Sequence, residues 1–288
     1  MLDAFLKKKM IFLTGKGGTG KSFLTCYLGL QASKLKKRVL LVESSQFEEI
    51  SAVFGQEPVG HVETKVTDYL SIINLDPKIC FKEYVSEHLG LQSLYRRVFS
   101  KKVVKSFLDA IPGLNEVMFL GRLYYTAELY KPSYDLIVVD AKAFGHFYQL
   151  MTTLETIQTS GLKGPLIQEV TKVQSFLSDP DKVGICLVTL AMELVVKETI
   201  EFQEKLEKEC QTQILSVICN RWIEQFGSET ELDEIKNETL RHSIIHDREL
   251  RIQRQDKATE SFKSSSLLPI YKVLDFGVVD KGFIAHFD

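Results

Sequence analysis

Residues 10–22 read MIFLTGKGGTGKS, an apolar run that stops at Gly15 and runs into a loop of glycines and lysines. From Lys21 onward the chain changes period, with Leu24, Leu28 and Leu35 recurring on one helical face. A short buried strand, a tight glycine loop and an amphipathic helix in direct succession leave few folds open. Such a unit needs a parallel neighbour on each side of the strand and helices on the faces of the sheet. The remainder of the chain supplies them. Further apolar runs stand at 38–43 (RVLLVE), 134–141 (YDLIVVDA), 182–190 (KVGICLVTL) and 212–220 (TQILSVICN), and a strongly helical stretch fills 192–210. One more strand and a short tail are expected at the end. The predicted class is therefore α/β, a mostly parallel sheet with helices on both faces. The 288 residues are read as a single domain, 1–288. Residues 56–131 and 147–180 have mostly helical spacing and are expected to be helical insertions on one side of the sheet.

The loop itself, Gly15-x-x-x-x-Gly20-Lys21-Ser22, has the chemistry of a phosphate cradle. Glycines let consecutive backbone N–H groups converge on phosphate oxygens with no Cβ in the way. Lys21 would neutralise the β- and γ-phosphates. Ser22 opens the helix and would offer its hydroxyl to Mg²⁺, and the helix N-terminus adds partial positive charge. The expected nucleotide-binding set is Gly15, Lys16, Gly17, Gly18, Thr19, Gly20, Lys21, Ser22 and Phe23.

Composition narrows the partners. The net charge of −2 offers no basic field for nucleic acid, and the short lysine clusters (7–9, 36–38, 101–102) each flank an apolar run as solvated element ends. Five cysteines, odd in number and widely spaced, with no Cys-x-x-Cys, fit reduced thiols rather than a disulfide frame or a zinc pair. The start, MLDAFLKKK, has no long apolar leader region, and the longest apolar run is too short for a bilayer. A cytoplasmic chain with no integral membrane segment is the expectation. His242 and His246 stand four apart, but no third ligand is near in sequence, so an exposed helix face is expected there.

The first lysine of Lys16-Gly17-Gly18-Thr19-Gly20-Lys21-Ser22 is not required by a generic phosphate loop. This stretch resembles the deviant loop of the ATPases related to the arsenite pump, the tail-anchored-protein targeting ATPase and the division-site and plasmid-partition ATPases. Three stretches are similar to the arsenite-pump and tail-anchor-targeting branch: PGLNEVMFL (112–120), YDLIVVDAKAFGHFYQLM (134–151) and LVTLAMELVVKETIEF (187–202). A fourth, VICNRW (217–222), is similar to that branch's strand ending in asparagine. The resemblance implies an ATP-dependent, Mg²⁺-dependent dimeric switch whose nucleotide state controls a protein partner or client. It implies that Lys16 reaches across the dimer to the partner's nucleotide, so that Lys16 and Lys21 are the catalytic cations. It further implies that Asp140 holds Mg²⁺ with Ser22, that Gly145 and His146 lie in the γ-phosphate switch, and that Asn220 contacts adenine. The inserted helices become the client surface.

The departures from that family pattern are as informative. Where the family's first switch carries a water-positioning aspartate, alignment on Ile50-Ser51 and Phe54-Gly55 puts Ser45, and a serine is a poor base at neutral pH. Glu43, Glu48 and Glu49 are all near enough to substitute, and nothing in the sequence selects one. In the second switch Ala141-Lys142-Ala143-Phe144 replaces the family's Thr-Ala-Pro-Thr. Two further readings follow. One is a hydrolysis-deficient nucleotide-binding module acting as a subunit of a heterodimer. The other is a partition-like ATPase, against which the acidic balance and the lack of a terminal basic amphipathic helix weigh.

Overall fold

The structure is a computed structural model and describes residues 2–88, 113–130, 134–159, 165–223 and 238–274. Among the described residues eight strands form one sheet: β1 (Met10–Gly15), β2 (Val39–Glu43), β3 (Thr64–Thr67), β4 (Leu70–Asn74), β5 (Leu136–Asp140), β6 (Val183–Leu190), β7 (Ile214–Trp222) and β8 (Ile270–Leu274). Their order is β3-β4-β2-β5-β1-β6-β7-β8, so the first strand lies in the middle. All neighbours are parallel except the edge pair β3–β4. The central position of β1 explains its composition. A parallel strand covered on both faces has no solvent side, and every residue from Met10 to Gly15 is buried.

Alternation along β1 divides the core in two. Met10 and Phe12 face one layer with Leu40, Val42, Ile137 and Val139. Ile11 and Leu13 face the other with Leu41, Val138, Cys186 and Val188. The second layer is closed chiefly by α2 (Lys21–Lys34), which follows β1 directly, with the short helices α1 (Leu2–Phe5) and α3 (Glu49–Val53) beside it. The first layer is closed by α4 (Pro77–His88), α5 (Leu114–Glu128), α6 (Phe144–Thr159), α7 (Pro165–Leu177) and α8 (Glu193–Glu209), with α9 (Glu238–Ser265) against α8. Fully buried side chains such as Phe12 and Leu13 contribute about 2 kcal/mol each by leaving water.

The stretch 56–131 departs from the helical expectation. It opens with two strands: β4 runs parallel to β2 with Leu70 beside Val39 and Asn74 beside Glu43, and β3 folds back on β4. The five-residue run LSIIN is too short for periodicity to separate strand from helix, and its strand identity comes from the open edge of β2. Within 147–180 the described residues fall mainly on α6 and α7, between β5 and β6 in the chain. The apolar positions Leu89, Leu91, Leu94, Val98, Val103, Val104, Phe107 and Leu108, which give 56–131 much of its helical spacing, lie outside the described residues, as do residues 227–237 of the polar, linker-like stretch 227–239.

One polar cluster ties the β4 side to the helical layer. The Asp76 N–H donates to His61 Nδ1 at 3.0 Å, so the ring proton sits on Nε2, which donates to Glu83 at 3.3 Å. Arg122 on α5 lies 3.4 Å from the same carboxylate. Burial alone would raise Glu83, but the His61 hydrogen bond and the charge of Arg122 outweigh it and hold the carboxyl below its usual range. A lowered acid stabilises the fold above its unfolded pKa, and that contribution is lost as pH falls through the lowered value. Glu83→Gln is therefore expected to lower the thermal midpoint at pH 7 and to have no effect in strong acid, as read by unfolding scans across pH.

Candidate functional site

The glycine-rich loop is built by the register of β1 against β6. Gly15 lies beside Val188, and a Cβ there would stand 2.2 Å from the Val188 carbonyl oxygen. Gly18 and Gly20 turn the chain in the left-handed region, with φ of +81° and +85°. Thr19 is buried and closes the loop by donating its hydroxyl to the Lys16 carbonyl at 2.9 Å. Lys21 folds back over the mouth, its Nζ 3.3 Å from the Lys16 carbonyl oxygen. The helix cap at Gly20 makes no side-chain hydrogen bond, so no capping side chain engages the opening N–H groups of α2. A Cβ added at Gly17 would meet nothing within 4 Å. Donors around open space at a helix N-terminus fit a phosphate chain.

Asn220 ends up in a place its sequence position did not disclose. Its buried amide donates Nδ2 to the Thr19 carbonyl at 2.9 Å, pinning the loop from β7. A carbonyl can only accept, so the amide nitrogen must face it, and that bond leaves Oδ1 and the second Nδ2–H uncommitted. Beside Asn220 opens a cavity of about 800 Å³, lined among others by Met192, Arg221, Ile223, Arg254 and Gln255. That volume accommodates a nucleoside. Phe23 turns its ring to Tyr27, the two stacked with centroids 6.4 Å apart.

A second constellation forms beside the loop. Adjacent strands β1 and β5 set Asp140 level with Leu13, and the first turn of α2 brings Ser22 to it. Ser22 Oγ is 2.5 Å from Asp140 Oδ2 and 2.5 Å from Glu49 Oε2. Asp140 Oδ1 is buried without a hydrogen-bond partner. Burial pushes the Asp140 carboxyl up to about 6, against the Ser22 hydrogen bond and the Lys21 charge, with the Glu49 charge adding to the rise. An all-oxygen corner with an orphaned carboxylate oxygen fits a hard divalent cation such as Mg²⁺.

Lys16 is held within its own chain. Its Nζ lies 2.7 Å from Glu198 Oε1 and 2.6 Å from Oε2, on the second turn of α8. No sequence signal announces Glu198, because its 182-residue separation from Lys16 is closed only by β6 lying beside β1.

The two stretches compared above with the family's switches have defined partners. Ser45 spends its hydroxyl on the Phe47 carbonyl at 2.8 Å and its backbone on Asn74. Glu43 is buried and accepts the N–H groups of Glu49 and Ile50 at 3.1 Å each, capping α3 from outside that helix. Burial pushes Glu43 up to about 7 against these backbone hydrogen bonds. Glu48 accepts from Val59 and Gly60 at 2.6 and 2.8 Å. Only Glu49 of the three reaches Ser22. In the second of these stretches the Lys142 carbonyl accepts from Thr14 at 2.8 Å, and Phe144 stacks on Phe202 with centroids 4.0 Å apart. Gly145 and His146 are exposed on the first turn of α6. His242 and His246 both fall on α9, His246 exposed. Among the described residues no group of three or more His, Cys, Asp or Glu could hold a metal ion, and no helix is long and apolar enough to cross a membrane.

A parallel sheet with a glycine-rich loop between its central strand and the next helix is the P-loop NTPase fold. Residues 8–165, more than half of the chain, match the family described as anion-transporting ATPase, and the chain belongs to that family. The chain is 30% identical over 222 residues to ATPase BagA of Mycobacterium tuberculosis, covering 74% of this chain and 65% of that protein. It is 25% identical over 249 residues to ATPase GET3 of Mycosarcoma maydis, with 74% and 72% covered. A putative arsenical pump-driving ATPase 2 of Aquifex aeolicus is 27% identical over 169 residues, with 58% and 54% covered. The chain thus spans about two thirds of the length of the mycobacterial relative.

Proposed function

We propose that this chain binds ATP with Mg²⁺ and hydrolyses it as a dimeric switch, the nucleotide state controlling a protein partner. The observation that carries this reading is the convergence of Lys21, Ser22 and Asp140 on one loop mouth, with Gly17 open to it. The loop amides from Gly15 to Phe23 cradle the phosphates, and Lys21 offsets the β- and γ-phosphate charge. Ser22 and Asp140 would hold Mg²⁺, which would supply charge balance for the transferring phosphoryl group. Asn220 offers Oδ1 to the base. Lys16 leaves Glu198 and crosses a dimer seam to the partner's nucleotide. Both members of that ion pair are partly exposed, so separating them costs little. Residues 1–288 serve as one ATPase domain, and the helical layer α4–α7 is the surface offered to a client.

The test is single-turnover ATP hydrolysis across a range of protein concentration, beside Lys16→Ala. The expected result is a rate that rises with dimer concentration and drops by about 10³-fold or more in the variant, the scale of a transition-state cation supplied in trans. A rate independent of concentration and unchanged in Lys16→Ala would remove the trans role.

A second reading has its own observation. Because Ser45 is bonded to Phe47, the position of the family's water-orienting aspartate carries no base. ATP binding without turnover in either protein would make the chain a nucleotide-gated module, paired with a more complete relative in a heterodimer.

A further inference from the structure

We infer that Glu49 is a third protein ligand of the divalent cation, so that the corner of Ser22, Asp140 and Glu49 takes such a cation even without nucleotide. The inference rests on the reading of Ser22 and Asp140 as the magnesium pair and extends it to a residue outside the family pattern.

The geometry is short of positive charge. A serine hydroxyl carries one proton, yet two carboxylate oxygens stand 2.5 Å from Ser22 Oγ. One of them can accept that proton, and the other is left facing lone pairs. Among the described residues no lysine or arginine forms an ion pair with Asp140 or Glu49. Lys21 directs its Nζ to the Lys16 carbonyl instead. Independently, Asp140 Oδ1 is buried with no partner, and a buried acceptor of this kind calls for a donor or a cation. A divalent ion shared by Asp140, Glu49 and the Ser22 oxygen satisfies both deficits at once. Three protein oxygens from β5, α3 and α2 leave room for the waters or phosphate oxygens that complete a Mg²⁺ octahedron.

The surroundings also select Glu49 over its neighbours. Glu43 is held by the N–H groups of Glu49 and Ile50, and Glu48 by those of Val59 and Gly60. Glu43 therefore anchors the very turn that presents Glu49. A chain whose first switch has lost its aspartate at Ser45 thus keeps a carboxylate in that segment, on the metal side of the site.

The experiment titrates Mn²⁺ alone into the nucleotide-free full chain, with free Mn²⁺ read by electron paramagnetic resonance. Wild type, Glu49→Gln, Glu49→Asp and Glu48→Gln are compared, each with its unfolding midpoint. Glu49 is exposed at the start of a short helix, so neither replacement disturbs the core. One Mn²⁺ site is expected in wild type, weakened at least about 10-fold in Glu49→Gln, partly restored in Glu49→Asp and retained in Glu48→Gln. Equal Mn²⁺ affinity in wild type and Glu49→Gln overturns the inference, as does a wild type that takes no Mn²⁺. A fluorescent ATP analogue, titrated in parallel, separates the two readings. Nucleotide binding with unaltered Mn²⁺ affinity in Glu49→Gln sinks the role of Glu49 alone. A Glu49-dependent Mn²⁺ site with no nucleotide binding supports Glu49 and sinks the ATPase reading.

Discussion

Lys21→Ala is expected to reduce ATP turnover by at least about 10³-fold and to weaken binding of the triphosphate, while leaving the unfolding midpoint within about 1 °C of wild type. The two halves of this expectation have different origins. In the protein itself Lys21 Nζ makes a single long hydrogen bond, 3.3 Å to the Lys16 carbonyl, at the mouth of the loop. Removing so weak a contact changes stability little. With nucleotide in place the same ammonium would face the phosphates, at the start of α2, where the helix N-terminus already favours negative charge. Charge that grows on phosphate oxygens during transfer is then stabilised by a cation that needs no reorganisation. Single-turnover hydrolysis and a nucleotide-binding titration, beside a thermal scan, check all three values. Turnover within about 10-fold of wild type would place the phosphates elsewhere.

Gly15→Ala and Gly17→Ala are expected to fail in opposite ways. At Gly15 an added methyl would stand 2.2 Å from the Val188 carbonyl oxygen, a backbone atom fixed in the β1–β6 ladder. The strand cannot yield without losing pairing in the middle of the sheet, so a loss of about 3 kcal/mol is expected, roughly 10 °C in the unfolding midpoint. At Gly17 the methyl meets nothing within 4 Å, so stability should stay within about 0.5 kcal/mol of wild type. That empty space is where the phosphates are proposed to lie, and turnover should fall about 100-fold because the triphosphate is displaced. Thermal unfolding and single-turnover rates on the two variants decide the matter. A destabilised Gly17→Ala, or a stable Gly15→Ala, would contradict the loop geometry described above.

These contrasts show where sequence reasoning reaches and where it stops. The run MIFLTG, the glycine pattern and the helical spacing after Lys21 are local, and local periodicity suffices to predict a buried strand, a loop and a helix in order. The same holds for β2, β5, β6 and β7, whose apolar runs are continuous because both faces of the sheet are covered. Asp140, which the family resemblance singled out, ends such a run.

What depended on tertiary structure involves residues far apart in the chain. β4 is a strand because β2 has a free edge beside it, a fact absent from LSIIN itself. Asn220 props Thr19 across 201 residues because a buried loop carbonyl requires a donor and β7 ends beside it. Glu198 reaches Lys16 because β6 neighbours β1. Among Glu43, Glu48 and Glu49 the choice falls on Glu49 only because backbone N–H groups engage the other two carboxylates. The order of residues along the chain determined the parallel centre of the sheet, the glycine-rich loop and the family to which this protein belongs. The partners of its charged groups were decided by packing, since buried donors, acceptors and charges must find one another in space, and sequence spacing carries no record of which will meet.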